Sequence, residues 1–131
     1  MCRSIRFTLV SLVSLMLLAA CGSSPESLTL TGQDAGSIIE LEVGDKLAVE
    51  LEGNPTTGYT WEIVPVEPTL LQQVGELEFK ADDEALVGSG GVMTLHFEAV
   101  SRGESVLQLA YQRPWEEVPP LKTFEVTVIV E

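Results

Sequence analysis

Side chains that could do acid, base or nucleophilic chemistry are few in this 131-residue chain. His96 is the only histidine, and it stands on the predicted polar face of a strand. The two cysteines, Cys2 and Cys21, precede the predicted globular domain, so no thiol can pair with His96. Nucleophilic catalysis requires a nucleophile and a base within hydrogen-bond reach. The sequence therefore argues against an enzyme, and it implies no cofactor.

Carboxylates are abundant, but they fall singly on predicted strands or in the run Asp82-Asp83-Glu84. Calcium sites in proteins draw oxygen ligands from positions with a recognisable spacing. The acidic run lacks such a spacing. We interpret it as a solvated loop and predict no metal site.

A connecting segment of unusual composition, called loop 1 below, reads Asn54-Pro55-Thr56-Thr57-Gly58-Tyr59. Pro55 fixes its own φ and restricts the residue before it, whereas Gly58 permits a positive φ. Loop 1 should therefore hold one shape with little bulk at its tip, and such a loop can enter a narrow cleft. On these residues alone, a rigid turn anchored to the core by Tyr59 and Trp61 is the simpler interpretation.

Two further segments have compositions that suit binding. Loop 2 reads Gly88-Ser89-Gly90-Gly91 and offers bare backbone to an approaching chain, although a flexible connector would read the same way. Loop 3, residues 113–120, begins Arg113-Pro114-Trp115 and contains three prolines. Arginine and tryptophan are enriched at binding hot spots. The alternative is that Trp115 folds back on the core and Arg113 pairs with a nearby acid.

The N-terminus has the layout of an export signal. Arg3 and Arg6 precede an uncharged apolar run that is shorter than the roughly 20 residues of a spanning helix. The sequence Leu18-Ala19-Ala20-Cys21 resembles the bacterial lipobox, in which the cysteine is acylated and becomes the first mature residue. We therefore predict a lipoprotein signal peptide at 1–20, a lipidated Cys21 with a tether at 21–26, and one domain at 27–131.

Charge and cysteine content narrow the possible partners. The formal charge of −13 becomes −15 without the signal peptide, because the remaining chain has five basic and twenty acidic residues. Such a chain is not expected to bind nucleic acid. The exported domain has no cysteine left for a disulfide. We expect a monomer with a solubilising acidic surface.

After the tether, short alternating segments separated by turn residues indicate an all-β domain. Gly44-Asp45 is predicted to form a hairpin turn between two of the strands. About seven strands at this spacing favour an immunoglobulin-like two-sheet sandwich. The predicted strands cover residues 27–31, 38–43, 46–51, 61–66, part of 70–80, 92–100, 105–112 and 123–130.

The three loops together resemble the chagasin-like inhibitors of papain-family cysteine peptidases, whose motifs are N-P-T-T-G-[YF], G-x-G-G and R-P-W in this order. Loop 1, loop 2 and residues 113–115 match them at every position. The resemblance implies that the loops converge at one end of the sandwich. It also implies that loop 1 enters the catalytic cleft, loop 2 lies along the substrate groove, and Trp115 packs on the other side with Arg113 holding its loop.

The predicted anchor places the chain in a bacterial envelope, with the outer membrane expected and either the periplasm or the cell surface as the side it faces. The target peptidase would be the cell's own, a host's or a competitor's. A rival interpretation is a structural or adhesive envelope lipoprotein that uses the sandwich as a spacer or docking module. The three motifs distinguish the two, because a spacer does not need them.

Overall fold

The computed structural model describes residues 25–131, so the predicted signal peptide, Cys21 and residues 22–24 of the tether lie outside it. Nine strands form two sheets, and 3₁₀ turns at Gly32–Asp34 and Pro55–Thr57 interrupt the connections. No helix in this part of the chain could span a membrane. The strands are β1 Ser27–Thr31, β2 Ile38–Leu41, β3 Lys46–Gly53, β4 Thr60–Val64, β5 Leu71–Gln73, β6 Glu78–Ala81, β7 Gly91–Ala99, β8 Gly103–Gln112 and β9 Lys122–Val130.

The predicted all-β, immunoglobulin-like two-sheet sandwich is confirmed. One sheet has the order β1-β3-β7, and both β5 and β6 pair with the far edge of β7. The other sheet has the order β2-β9-β8-β4. Two edge strands are parallel to their neighbours, β1 to β3 and β2 to β9, and the other pairs are antiparallel.

The core lies between the sheets and follows the alternation of the sequence. In β7, β8 and β9, every second side chain points inward, as expected for strands with one buried face. These inward positions agree with the sequence-based prediction. Their buried members are Met93, Leu95, Phe97 and Ala99 in β7, Leu107, Leu109 and Tyr111 in β8, and Phe124, Val126, Val128 and Val130 in β9.

Two predictions about the strands are wrong or incomplete. Gly44-Asp45 does not close a hairpin, because β2 and β3 belong to different sheets and the turn carries the chain from one sheet to the other. Residues 70–80 hold two short strands rather than one, and both pair with β7. Glu26, the last residue of the predicted tether, is already held by the sandwich, since its carbonyl accepts from Lys46 N–H at 2.8 Å.

The strand ends define two poles of the sandwich. Loop 1 follows β3, loop 2 leads into β7 next to the end of β3, and loop 3 follows β8. These three loops share one end, called the loop pole below. The chain enters β1 beside the start of β3, which is the opposite end, called the entry pole.

Candidate functional site

Loop 1 is held in one shape by its own hydrogen bonds. Asn54 caps the 3₁₀ turn, because its Oδ1 accepts from Thr56 N–H at 3.1 Å and from the Thr56 hydroxyl at 2.5 Å. The Thr57 hydroxyl donates to Asn54 O at 2.6 Å. Gly58 ends the turn with φ +84°, a left-handed conformation that side chains oppose. The predicted rigidity and the positive φ of Gly58 are therefore present.

Tyr111 fixes loop 1 to the core. Its hydroxyl accepts a hydrogen bond from Asn54 N–H at 2.9 Å, across 57 positions of sequence. Its ring lies between Tyr59 and Trp61, with centroid distances of 5.2 and 5.1 Å. The sequence indicated Tyr111 only as an inward core residue, and its hydroxyl, which a buried tyrosine must pair, was the clue to this second role.

Loop 2 is joined to loop 1 through the same asparagine. Asn54 Nδ2 donates to Gly88 O at 3.0 Å, and Gly88 itself has φ +83°. Gly91 is buried at the start of β7, where an added Cβ would lie 2.7 Å from Ala81 Cα in the paired strand β6. The fold therefore requires glycine at Gly91, whereas a Cβ at Gly90 would make only ordinary contact.

Loop 3 is joined to the other side of loop 1 by Arg113. Its Nε donates to Thr57 O at 3.0 Å, and its guanidinium carbon lies 4.5 Å from the centroid of the Tyr59 ring, in a cation–π contact. Its Nη1 pairs with Glu116 Oε1 at 3.0 Å. Arg113 thus pairs with a nearby acid, as one interpretation of the sequence had it, and also supports loop 1.

Trp115 does not fold into the core. It is 69% exposed, and Pro114 beside it is exposed as well. The edge of the Trp115 indole lies against Gly58, so that a Cβ there would come within 2.9 Å of Cζ2. Loop 1 is therefore in contact with loop 2 on one side and with loop 3 on the other, and the predicted convergence of the loops is present.

The loop pole has the features of a binding surface. Loop 1 carries no charged side chain, and Pro55, Thr56 and Thr57 are exposed at its tip.

The other candidate residues make none of the contacts that join the three loops. His96 lies on β7 with Glu78 Oε2 at 3.4 Å from its Nε2. Within residues 25–131, no cluster of histidine, cysteine and acidic side chains could hold a metal ion. Asp83 uses Oδ1 to accept from Ala85 N–H within its own loop.

Comparisons with known proteins agree with this fold. Residues 40–128 match the model of the chagasin family of peptidase inhibitors, I42. Amoebiasin-1 of Entamoeba histolytica is 30% identical over 106 residues, which is 79% of this chain and all of that protein. Chagasin of Trypanosoma cruzi is 29% identical over 83 residues, 61% of this chain and 76% of chagasin.

Solved structures show the same architecture. The crystal structure of the cysteine protease inhibitor EhICP2 from Entamoeba histolytica superposes with a TM-score of 0.70 at 22% identity, covering 83% of this chain and all of that one. The solution structure of amebosin gives a TM-score of 0.65 at 31% identity, over 82% of this chain and all of amebosin.

Proposed function

The chain belongs to the chagasin family of peptidase inhibitors, and from that premise we propose that it reversibly inhibits papain-like cysteine peptidases through its loop pole. The family consists of inhibitors rather than enzymes. The observation that carries the proposal is the joining of all three loops through contacts with loop 1. Membership in a family of peptidase inhibitors argues against the rival interpretation, a structural or adhesive module.

Loop 1 is the segment that we assign to the catalytic cleft. Its exposed tip, Pro55 to Thr57, has small side chains and one fixed backbone turn, so it can enter a narrow groove. Both flanks of the tip are held, by Tyr111 at Asn54 and by Arg113 at Thr57. A loop ordered in advance loses little entropy on binding. The same restraints oppose the relaxation that cleavage of the loop would need. The loop should therefore stay uncleaved beside the catalytic thiol, and inhibition should persist.

The neighbouring loops are assigned to the sides of the cleft. Loop 2 is assigned to main-chain contact along the substrate groove, where its small residues allow a close approach, although Gly88 O and Gly90 O already accept hydrogen bonds within the domain. On the other side, Trp115 presents an exposed indole beside Pro114, and large aromatic side chains of this kind carry much of the energy of protein interfaces. Arg113 acts mainly within loop 3 and loop 1, because its hydrogen bonds are made to Thr57 and Glu116.

The test is a titration of papain with residues 23–131, which contain the whole sandwich. We expect activity to fall linearly to an end point at one equivalent, and to return when the complex is diluted or displaced. The inhibitor should be recovered uncleaved. Absence of inhibition at a large molar excess, or recovery of a cleaved chain, would overturn the proposal.

We propose further that Cys21 carries a lipid that holds the domain in a bacterial envelope, at the outer membrane. The sequence Leu18-Ala19-Ala20-Cys21 after an uncharged apolar run supports the lipid, and Gly22 after Cys21, in place of the aspartate associated with retention in the inner membrane, supports the outer membrane. Cys21→Ser should abolish incorporation of labelled fatty acid and leave uncleaved precursor or released protein. Labelling that persists in this variant would contradict the anchor.

A further inference from the structure

The chain enters the sandwich at the end farthest from its loops. β1 is parallel to β3, with Ser27 opposite Lys46, the first residue of β3. The other end of β3 is Gly53, which directly precedes loop 1. β3 has eight residues, so seven steps of about 3.3 Å separate its two ends and span roughly 23 Å. The entry point and the binding surface are therefore at opposite poles.

Asp45 fixes this entry point. Its two carboxylate oxygens accept from two backbone N–H groups, Oδ1 from Glu26 at 3.0 Å and Oδ2 from Glu42 at 2.8 Å. The carbonyl of Glu26 in turn accepts from Lys46 N–H at 2.8 Å. Glu26 is thus held from both sides at the turn between the sheets. Any segment that precedes Pro25 must leave the sandwich from this place.

The distance from the entry point to an anchor is short. Residues 21–25 can extend by at most about 3.5 Å each, or roughly 17 Å in all. That reach is smaller than the length of the sandwich. With an anchor at Cys21, the loop pole can therefore meet the membrane only if the whole domain lies on its side.

We infer that the domain is presented end-on, with the entry pole toward the membrane and the loop pole directed into the aqueous phase. The inference rests on the proposed function and on the proposed anchor. The partner that fits this arrangement is a water-soluble peptidase that approaches from the aqueous side. A peptidase in the same membrane whose cleft opens close to the bilayer would lie below the reach of the loops.

Two conjugates of residues 21–131 test the orientation, because the domain contains no cysteine after Cys21. In the first, Cys21 is coupled to a maleimide lipid in vesicles that carry dansyl headgroups. In the matched control, Cys21→Ser is combined with Val87→Cys, a fully exposed position next to loop 2, and coupled in the same way. Both tryptophans lie toward the loop pole, Trp115 in loop 3 and Trp61 beside the end of β8.

We expect tryptophan-to-dansyl energy transfer to be at least threefold weaker in the Cys21 conjugate than in the Val87→Cys conjugate. Equal transfer in the two would overturn the inference, whether or not the domain inhibits any peptidase. With papain in solution, the association rate of the Cys21 conjugate should lie within about twofold of that of the uncoupled chain, whereas the Val87→Cys conjugate should be at least tenfold slower. An uncoupled chain that fails to inhibit counts against the proposed function. An uncoupled chain that inhibits, together with a blocked Cys21 conjugate, counts against the orientation alone.

Discussion

The indole of Trp115 packs on Gly58 so closely that a Cβ on Gly58 would lie 2.9 Å from Cζ2 of the indole. Loop 3 thereby covers the residue at which loop 1 turns back into β4. Two causes restrict Gly58 to glycine, its φ of +84° and this contact. The shape of loop 1 is consequently set by loop 3 as well as by its own hydrogen bonds.

The first prediction concerns Gly58→Ala, with Gly44→Ala as its matched control. Both glycines have positive φ, +84° and +98°, so alanine should cost each about 1 kcal/mol of folding free energy. At Gly58 the new methyl also displaces Trp115, whereas nothing lies within 4 Å of a Cβ at Gly44. We expect papain inhibition to weaken at least tenfold for Gly58→Ala and to stay unchanged for Gly44→Ala. Equal inhibition constants for the two variants would contradict the role of loop 1.

Trp115→Ala should separate binding from folding. Because Trp115 is 69% exposed, its removal should change the denaturation midpoint little. Binding to papain should weaken by roughly 2 kcal/mol, mainly through faster dissociation. Stopped-flow kinetics and chemical denaturation on the same preparation measure the two effects. Lost stability with normal inhibition by the folded fraction would show that Trp115 serves the core.

Tyr111→Phe removes the hydroxyl that accepts a hydrogen bond from Asn54 N–H, and it leaves the aromatic contacts with Tyr59 and Trp61 in place. The loss of this hydrogen bond should lower the free energy of unfolding by about 1 kcal/mol and weaken inhibition several-fold. Ser105→Ala on the same strand is the control, because the Ser105 hydroxyl is buried without a hydrogen-bond partner. That variant should keep full inhibition. Full inhibition by Tyr111→Phe as well would mean that loop 1 holds its shape without this hydrogen bond.

Asp45 gives the stability a dependence on pH. Hydrogen bonds from the backbone N–H groups of Glu42 and Glu26 hold the pKa of the Asp45 carboxyl below its ordinary value. Because the carboxyl has a lower pKa in the folded state than in the unfolded state, it stabilises the protein at pH values above the unfolded-state pKa of about 3.9. This stabilisation is lost as the pH falls through the folded-state pKa. The melting temperature of Asp45→Asn should therefore lie below that of the parent at pH 7, and the gap should close in acid. A gap that stays constant from pH 7 to pH 2 would contradict this.

The sequence predicted those features that depend on neighbours along the chain. The alternation in β7 and β9 identified the strands and their inward faces, and Gly58 was identified as a position for positive φ. The turn at Gly44-Asp45 was interpreted as a hairpin because turn residues do not reveal which sheet the next strand joins. Strand pairing is decided by burial of both sheets, which is a property of the whole fold.

The contacts that join the loops could not be predicted for the same reason. Asn54 is hydrogen-bonded to Gly88, 34 positions away in the sequence, and to Tyr111, 57 positions away. Arg113 is hydrogen-bonded to Thr57, 56 positions away. No local pattern encodes these pairs. The composition of each loop indicated a binding segment, and the resemblance to the chagasin-like inhibitors implied that the loops meet, but the residues that hold them together appeared only in the structure.

If loop 1 occupies the catalytic cleft, it should cover the catalytic thiol of the peptidase and slow the alkylation of that thiol. Papain saturated with residues 23–131 should react with iodoacetamide at least a hundredfold more slowly than free papain. The Gly58→Glu variant, which cannot keep loop 1 under Trp115, should give little protection at the same concentration. Alkylation at the rate of free papain, in a complex that is nevertheless inhibited, would show that the domain blocks the enzyme from outside its catalytic cleft.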